Sequence, residues 1–226
     1  MTLQSVDSRD DGTFTIEVQT PDFSLSLAFD PTQGVFAQGE NGYSRKGPET
    51  GDASIYYSLP HLGISGTLGR DGVETGVTGK AWLDREWSSN LLTPGAVGWD
   101  WTGLNFDDGG ALVAFRIRGA NGETVWAGGS YRGPDGEITR FKPDQVSFET
   151  VRSWTSPQTD AVYPVEQVLT VDLPSGEVSF PLKPMFEDQE LDGRTSGMPV
   201  YWEGAIETTG GRGYLELTGY AGDLDM

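Results

Sequence analysis

The sequence predicts an all-β protein made of antiparallel strands. Apolar and polar residues alternate through most of the 226 residues, which is typical of strands with one buried face. Asp-Gly, Asn-Gly and Gly-Gly pairs interrupt the alternating runs where turns are needed, and no long stretch repeats apolar residues at helical spacing. The runs recur every ~8 to 12 residues, a spacing found in barrels and sandwiches.

The alternation predicts a series of short strands. In chain order they span residues 13–19, 23–29, 54–59, 62–68, 73–87, 97–106, 111–118, 124–131, 137–141, 145–151, 165–173, 178–182, 200–208 and 213–220. Pro60 and His61 separate the third strand from the fourth. The stretch 187–199 is rich in charge, Gly and Ser, and it predicts a long loop.

The loop 88–96 is the predicted boundary between two units, residues 1–92 and 93–226. The second unit has about nine predicted strands, which are enough to close a barrel. The first has about five, and an incomplete sheet presents an edge that another chain, a second copy or a further segment must cover. We therefore expect one complete C-terminal barrel preceded by part of a second.

Composition excludes several classes of partner and site. The formal net charge of −19, with no basic stripe, argues against nucleic acid and against an anionic membrane surface. The chain has no cysteine and one histidine, which excludes disulfides and thiolate sites and disfavours a transition-metal site. No apolar run approaches the ~20 residues of a membrane helix. The first twelve residues lack the pattern of a secretory signal, so a cytoplasmic protein is expected.

Four of the seven tryptophans lie in two neighbouring segments, Gly79-Lys-Ala-Trp-Leu-Asp-Arg-Glu-Trp-Ser88 and Gly98-Trp-Asp-Trp-Thr-Gly103. Charged groups fixed against large aromatic faces are what an apolar ligand pocket with a few orienting polar groups needs. Alternate residues of a strand share a face. Asp84 and Glu86 are therefore expected to point away from Arg85 and Trp87, and Asp100 is expected to point away from Trp99 and Trp101.

Several segments, in order, resemble the carotenoid 1,2-hydratase (hydroxyneurosporene synthase) group and its AttH-like relatives. Besides the two tryptophan-rich segments they are Ile55-Tyr-Tyr-Ser58, Leu62-Gly-Ile-Ser-Gly66, Asp188-Gln-Glu-Leu191, Tyr201-Trp-Glu-Gly-Ala205 and Gly211-Arg-Gly-Tyr-Leu-Glu-Leu-Thr-Gly-Tyr220. The resemblance implies two lipocalin-like barrels and a hydrophobic polyene or isoprenoid as ligand, without cofactor or metal.

The chain departs from this family pattern in three ways. The tryptophan- and tyrosine-rich motif near the start of family members has no counterpart, which agrees with an incomplete first barrel. The hydratases' His-x-Trp pair falls on Arg85-Glu-Trp87, so only the tryptophan carries over. Their Tyr-x-Asp pair has no clear counterpart, since the corresponding strand reads Ala114-Phe-Arg-Ile117. These losses favour binding or pericyclic chemistry over hydration.

Hydration of an alkene requires a strong proton donor and aromatic faces that stabilise a carbocation. A carboxyl group could donate if burial raised its pKa, whereas arginine stays protonated and instead binds a carbonyl or carboxylate of a ligand. The candidate catalytic residues are Asp84, Arg85, Glu86 and Asp100. The candidate substrate-binding residues are Trp87, Trp99, Trp101, Tyr57 and Trp202.

Structural roles compete with these assignments. Asp84 and Glu86 could pair with Arg85 or the backbone, and Trp202, with the nearby Glu203, could serve the second barrel as packing. The leading hypothesis is a hydratase-like lyase, or a cyclase, that acts on an apolar polyene. A non-catalytic lipocalin-like binding module and a pericyclase resembling the fungal Diels-Alderases remain open. A homo-oligomer or a further N-terminal segment would complete the first barrel.

Overall fold

The computed structural model describes residues 2–8, 12–222 and 224. The regular structure of this part of the chain is β-strand apart from two short 3₁₀ helices, so the predicted all-β class is confirmed. The strands are β1 Thr2–Ser8, β2 Phe14–Gln19, β3 Phe23–Asp30, β4 Phe36–Ala37, β5 Tyr43–Arg45, β6 Ala53–Arg70, β7 Val73–Trp87, β8 Ala96–Phe106, β9 Ala111–Gly119, β10 Thr124–Arg132, β11 Ile138–Phe141, β12 Val146–Thr155, β13 Val162–Leu173, β14 Gly176–Pro184, β15 Glu190–Asp192, β16 Val200–Thr208 and β17 Gly211–Thr218. Two short 3₁₀ helices span Pro143–Gln145 and Arg194–Ser196.

The strands form two large antiparallel sheets. In the seven-stranded sheet the order is β1-β2-β3-β6-β4, and β5 and β7 also pair with β6. In the ten-stranded sheet the order is β11-β10-β9-β8-β17-β16-β14-β13-β12, and β15 pairs with β16. The described chain contains no helix long and apolar enough to cross a membrane.

Contacts divide the chain into two compact units. Unit 1 comprises Met1–Phe36 and Tyr57–Arg85, and unit 2 comprises Ala37–Tyr56 and Glu86–Met226. The predicted boundary at residues 92 and 93, and the number of barrels, stay predictions.

Strand β6 differs from its prediction. The sequence predicts two strands at 54–59 and 62–68, whereas the structure has one of 18 residues. Its first residues, 53–55, pair with β5, and residues 63–70 pair with β3. Between these segments Pro60 lacks an N–H donor and His61 has a φ of 55°. The break in the pattern therefore marks a change of pairing partner and not the end of a strand.

The short strands β4, β5 and β15 and the polar strand β1 were not predicted. The first three have two or three residues each, too few to show alternation. In β1 the backbone pairs with β2 although its sequence is polar. β15 and the second 3₁₀ helix lie within the predicted loop 187–199, because residues 190–192 pair with β16.

The ten-stranded sheet of unit 2 is strongly curled. β11 and β12 occupy opposite ends of the strand order, yet only residues 142–145 connect them in the chain. One apolar core fills the inner face of this sheet. Its largest fully buried members are Trp202, Tyr163, Leu104, Leu112, Leu169, Leu182, Ile206, Leu215 and Leu217.

Candidate functional site

Asp100 points into the core of unit 2, as alternation on β8 predicts. Its side chain is completely buried and lies directly across from Arg116 on β9. Arg116 donates from Nε and Nη2 to Oδ2 at 2.7 and 2.6 Å, and Arg118 donates from Nε to Oδ1 at 2.9 Å. The Tyr220 hydroxyl donates to Oδ1 at 2.8 Å. We call these four residues the Asp100 cluster.

The other members of the Asp100 cluster are also fixed by their surroundings. The Arg118 guanidinium lies 3.8 Å from the centre of the Tyr220 ring and donates to the Thr218 carbonyl. Arg116 donates from Nη1 to the Phe148 carbonyl at 3.3 Å. Burial, followed by the charge of Asp100, raises the pKa of Tyr220, so its hydroxyl stays a donor. Asp100 therefore accepts hydrogen bonds from two arginines and a tyrosine.

The opposite, outer face of the same strands carries the predicted Trp99 and Trp101. Cross-strand register places Trp101 opposite Glu216 on β17, and Glu216 opposite Glu203 on β16. The neighbouring row runs from Trp99 through Thr218 to Tyr201. We call the half-buried side chains on this face the outer-face cluster, which comprises Trp99, Trp101, Tyr201, Glu203, Tyr214 and Glu216.

Hydrogen bonds fix the positions of side chains in the outer-face cluster. The Trp101 indole Nε1 donates to the Tyr56 hydroxyl at 2.9 Å. Thr218 Oγ1 donates to Glu216 Oε1 at 3.1 Å. Directly opposed side chains on antiparallel strands have Cβ atoms about 4.5–5.5 Å apart, so Glu203 and Glu216 are within reach of one ligand atom.

The electrostatics of Glu203 differ from those of Asp100. Burial raises the pKa of Glu203 above its ordinary value, and a hydrogen bond from Tyr201 partly offsets that rise. Burial and the charge of Glu203 also raise the pKa of Tyr201 and Tyr214. A carboxyl group in this state can be protonated at a higher pH than an ordinary glutamate, which is the requirement for a general acid.

Asp84 belongs to unit 1 and is partly buried. Its Oδ1 accepts hydrogen bonds from Ser58 Oγ at 2.5 Å and from Trp82 Nε1 at 2.8 Å. Nearby on the same unit, buried His61 lies 3.3 Å from Lys80, measured from Nδ1 to Nζ. Trp82 and Asp84 share a face, as period two predicts.

The remaining predicted site residues lie in several environments. Arg85, Glu86 and Trp87 are exposed at the end of β7, where 54% of Trp87 is accessible. Tyr57 is partly buried in unit 1. Trp202 is completely buried in the core of unit 2, and its Nε1 donates to the Glu187 carbonyl at 2.7 Å. Asp100 and Trp202 lie on the inner face of unit 2, and Trp99 and Trp101 lie on its outer face.

The outer-face carboxylates were visible in the sequence but were assigned structural roles. Tyr201 and Glu203 are two residues apart, as are Tyr214 and Glu216, so each pair shares a strand face. Arg116 and Arg118 likewise share a face of one predicted strand. The missing information was the cross-strand register, which alternation within single strands does not contain.

An open cleft of about 610 Å³ lies at the tips of the β2–β3 and β6–β7 hairpins in unit 1. Turn residues 19–24 and 69–74 line it. None of the predicted site residues belongs to this lining.

Comparison with known proteins places the fold and the family. A model of the AttH-like family matches residues 1–220. A crystal structure of an AttH-like protein from Nitrosomonas europaea is 48% identical, with a TM-score of 0.89, and the match covers 95% of this chain and 68% of that one. None of the curated proteins matches the chain.

A second similar structure is that of kievitone hydratase from Nectria haematococca. It is 20% identical with a TM-score of 0.73, and the match covers 98% of this chain and 72% of that one. At this identity the likeness shows the fold alone, which is lipocalin-like.

Proposed function

The chain belongs to the AttH-like family, and on that premise we propose that it is a hydratase-like enzyme that adds water to an alkene of an apolar polyene or isoprenoid. The observation that carries the proposal is Glu203, a half-buried carboxyl group with a raised pKa beside aromatic side chains. An acyclic carotenoid is the substrate class to test first, because the sequence resembles the carotenoid 1,2-hydratases.

The outer-face cluster supplies each group that the reaction needs. Protonated Glu203 transfers its proton to one alkene carbon and leaves a carbocation on the other. The faces of Trp101, Tyr201 and Tyr214 stabilise that cation. Water then adds to the cationic carbon, and the Glu216 carboxylate accepts the proton that water releases. The product is an alcohol, and the proton held by Glu216 then passes back to Glu203, so atoms and charge balance.

In this arrangement Glu203 supplies the proton donor that the missing family histidine would otherwise provide. The sequence departures favour binding over hydration because Arg85 cannot act as the acid. Glu203 can take that role without a histidine, and Trp99 and Trp101 keep their predicted part in substrate binding. Trp87, Tyr57, Trp202 and the catalytic assignments to Asp84, Arg85, Glu86 and Asp100 stay predictions.

The test is incubation of the purified chain with an acyclic carotenoid in oxygen-labelled water. We expect a product heavier by one water molecule that carries the label, detected by mass spectrometry. Because Glu203 must be protonated to act, the rate should fall as pH rises through the raised pKa of Glu203.

Two variants separate the proposed role from a general effect on the sheet. Glu203→Gln should abolish labelled product while the chain stays folded. Glu207→Gln is the matched control, since Glu207 lies on the same strand, exposed, with its Oε1 3.1 Å from Arg212 Nη2. If the chain binds the carotenoid but leaves it unchanged, the binding-module hypothesis would replace hydration. If the product is an unlabelled cyclic isomer, the pericyclase hypothesis would replace it.

A further inference from the structure

Gln167 is a completely buried amide on the inner face of β13. Within the described part of the chain, neither its Nε2 nor its Oε1 has a hydrogen-bond partner. Buried side-chain amides are nearly always hydrogen-bonded to protein or to ordered water. Both polar atoms of this amide are therefore available to a bound molecule.

Contacts of neighbouring residues connect the strand that carries Gln167 with the Asp100 cluster. Tyr163 precedes Gln167 by four residues and shares its inward face. The Tyr163 ring centre is 5.8 Å from that of Tyr220, which donates to Asp100. This contact places the β13 face against the Tyr220 side of the cluster.

A second contact reaches the cluster from the other side of Gln167. Leu169, the next inward residue, lies opposite Phe148 on β12. The Phe148 carbonyl accepts the hydrogen bond from Arg116, and its ring lies 5.7 Å from the Arg116 guanidinium. Gln167 thus lies on β13 between Tyr163, whose ring contacts Tyr220, and Leu169, which lies opposite Phe148.

The charges of the cluster do not balance. Arg116 and Arg118 stay protonated, whereas Asp100 supplies one negative charge. The exposed fractions of their side chains are 15%, 6% and 0%. The nearby carboxylate of Glu190 is bonded through its two oxygens to Ser156 and Thr159. An unbalanced buried cation is costly, and an anion bound beside it would remove that cost.

The two guanidinium groups also keep unused donors. A guanidinium has five N–H donors. In the described structure Arg116 donates to Asp100 and Phe148, and Arg118 donates to Asp100 and Thr218 through Nε and Nη2. The Arg118 Nη1 donors and part of those on Arg116 remain for a ligand. The partial exposure of Arg116 provides a point of access from solvent.

We propose that this part of the unit 2 core binds the carboxylate of an apolar acid. Arg116 and Arg118 hold its oxygens, and Gln167 completes the hydrogen bonds. The apolar side chains of Phe148 and Leu169 accept the start of its chain. This site lies on the inner face of the sheet and does not depend on hydration at the outer-face cluster.

The experiment uses the full chain after removal of bound lipid. Oleate, oleyl alcohol and acetate are titrated separately, and binding is measured by calorimetry. We expect oleate to bind at least about tenfold more tightly than the alcohol, because only the acid pairs with the guanidinium groups. Equal affinity for oleate and oleyl alcohol would overturn the proposal. If acetate binds as tightly as oleate, the site binds small free anions and the proposal of an apolar acid is wrong.

Two variants test the residues. Gln167→Leu removes the unpaired amide, so it should raise the thermal midpoint of the ligand-free chain while weakening oleate binding about tenfold. Arg116→Met leaves Asp100 paired with Arg118, a neutral combination that should fold and lose oleate selectively. Exposed Gln158→Leu is the matched control. Unchanged oleate affinity in Gln167→Leu contradicts the proposal even if Arg116→Met fails to fold.

Discussion

Asp100 and Glu203 are carboxyl groups on the two faces of one sheet, and they illustrate two outcomes of burial. Asp100 is completely buried but accepts hydrogen bonds from two arginines and a tyrosine. Glu203 is partly buried, and the hydrogen bond that acts on its pKa comes from a neutral tyrosine. Burial with cations fixes a charge, whereas burial without them favours the protonated form.

The difference teaches that the depth of burial does not by itself identify an acid. The more deeply buried carboxylate is the one that pairs with two arginines. The less buried one, without a basic residue among the causes that shift its pKa, is the better proton donor. A search for catalytic carboxyl groups in such sheets must therefore consider the sign of each partner as well as its distance.

The largest expected effect is on stability, from Asp100→Asn. The substitution leaves two buried guanidinium groups without their carboxylate, and breaking a buried pair in this way costs about 3–5 kcal/mol. Urea unfolding should show this loss in the free energy of unfolding. Asp188→Asn, at an exposed position, is the control and should be nearly neutral. A loss at Asp100 no larger than at Asp188 would show that Asp100 is not the anchor of the inner face.

Two tyrosine variants test the same comparison between Asp100 and Glu203, with a smaller expected effect on stability. Tyr220→Phe removes one donor from ionised Asp100 and should lower the free energy of unfolding by about 1.5–3 kcal/mol, as is usual for hydrogen bonds to charged groups. Tyr201→Phe removes the hydrogen bond that lowers the pKa of Glu203. That pKa should rise further, and the fall in hydration rate should move to higher pH.

The Tyr201→Phe and Tyr220→Phe variants can also be compared by how their free energy of unfolding depends on pH. The pKa of Glu203 is higher in the folded chain than in the unfolded one, so its contribution to stability is complete below the unfolded pKa. That contribution is lost as pH rises through the folded pKa. The Tyr201→Phe chain should lose it at higher pH than the parent, in unfolding curves measured across this range. A pH profile shifted by Tyr220→Phe and not by Tyr201→Phe would contradict the assignment of Glu203 as the acid.

The smallest expected effect is from Arg85→Ala. Arg85 is exposed, unlike the two arginines of the Asp100 cluster, so its removal should change the free energy of unfolding by no more than about 0.5 kcal/mol. Affinity for an apolar ligand should be measured on the same sample. Lower affinity at unchanged stability would support the ligand-binding role predicted from sequence, and a large loss of stability would instead support the structural alternative.

The sequence was sufficient for features that depend on one strand at a time. It predicted the all-β class, and it predicted that Asp100 and its flanking tryptophans point to opposite faces of β8. It did not predict that Arg116 and Arg118 meet Asp100, or that Glu203 faces Glu216. Those contacts depend on how strands far apart in the chain align, and pairing register follows from tertiary packing.

Pro60 shows the same limit in another form. Its missing donor marks a discontinuity that the sequence reports correctly. Whether the strand ends there or only exchanges one partner for another depends on β3 and β5, which the local pattern does not describe. The predicted break and the observed continuous strand therefore share one physical cause.

The position of β17 has a consequence for the order in which unit 2 folds. It comes last among the described strands, yet it lies between β8 and β16 in the middle of the ten-stranded sheet. During synthesis strands β8–β11 and β12–β16 emerge before β17. Until β17 is made, the edges of β8 and β16 that it will pair with stay unpaired. Residues such as Trp99 and Thr218 must then join across a long stretch of chain, and pairings so distant form slowly. Until β17 inserts, both edges can recruit neighbouring chains, so the nascent protein should be most prone to aggregation in the interval before β17 has been synthesised and paired.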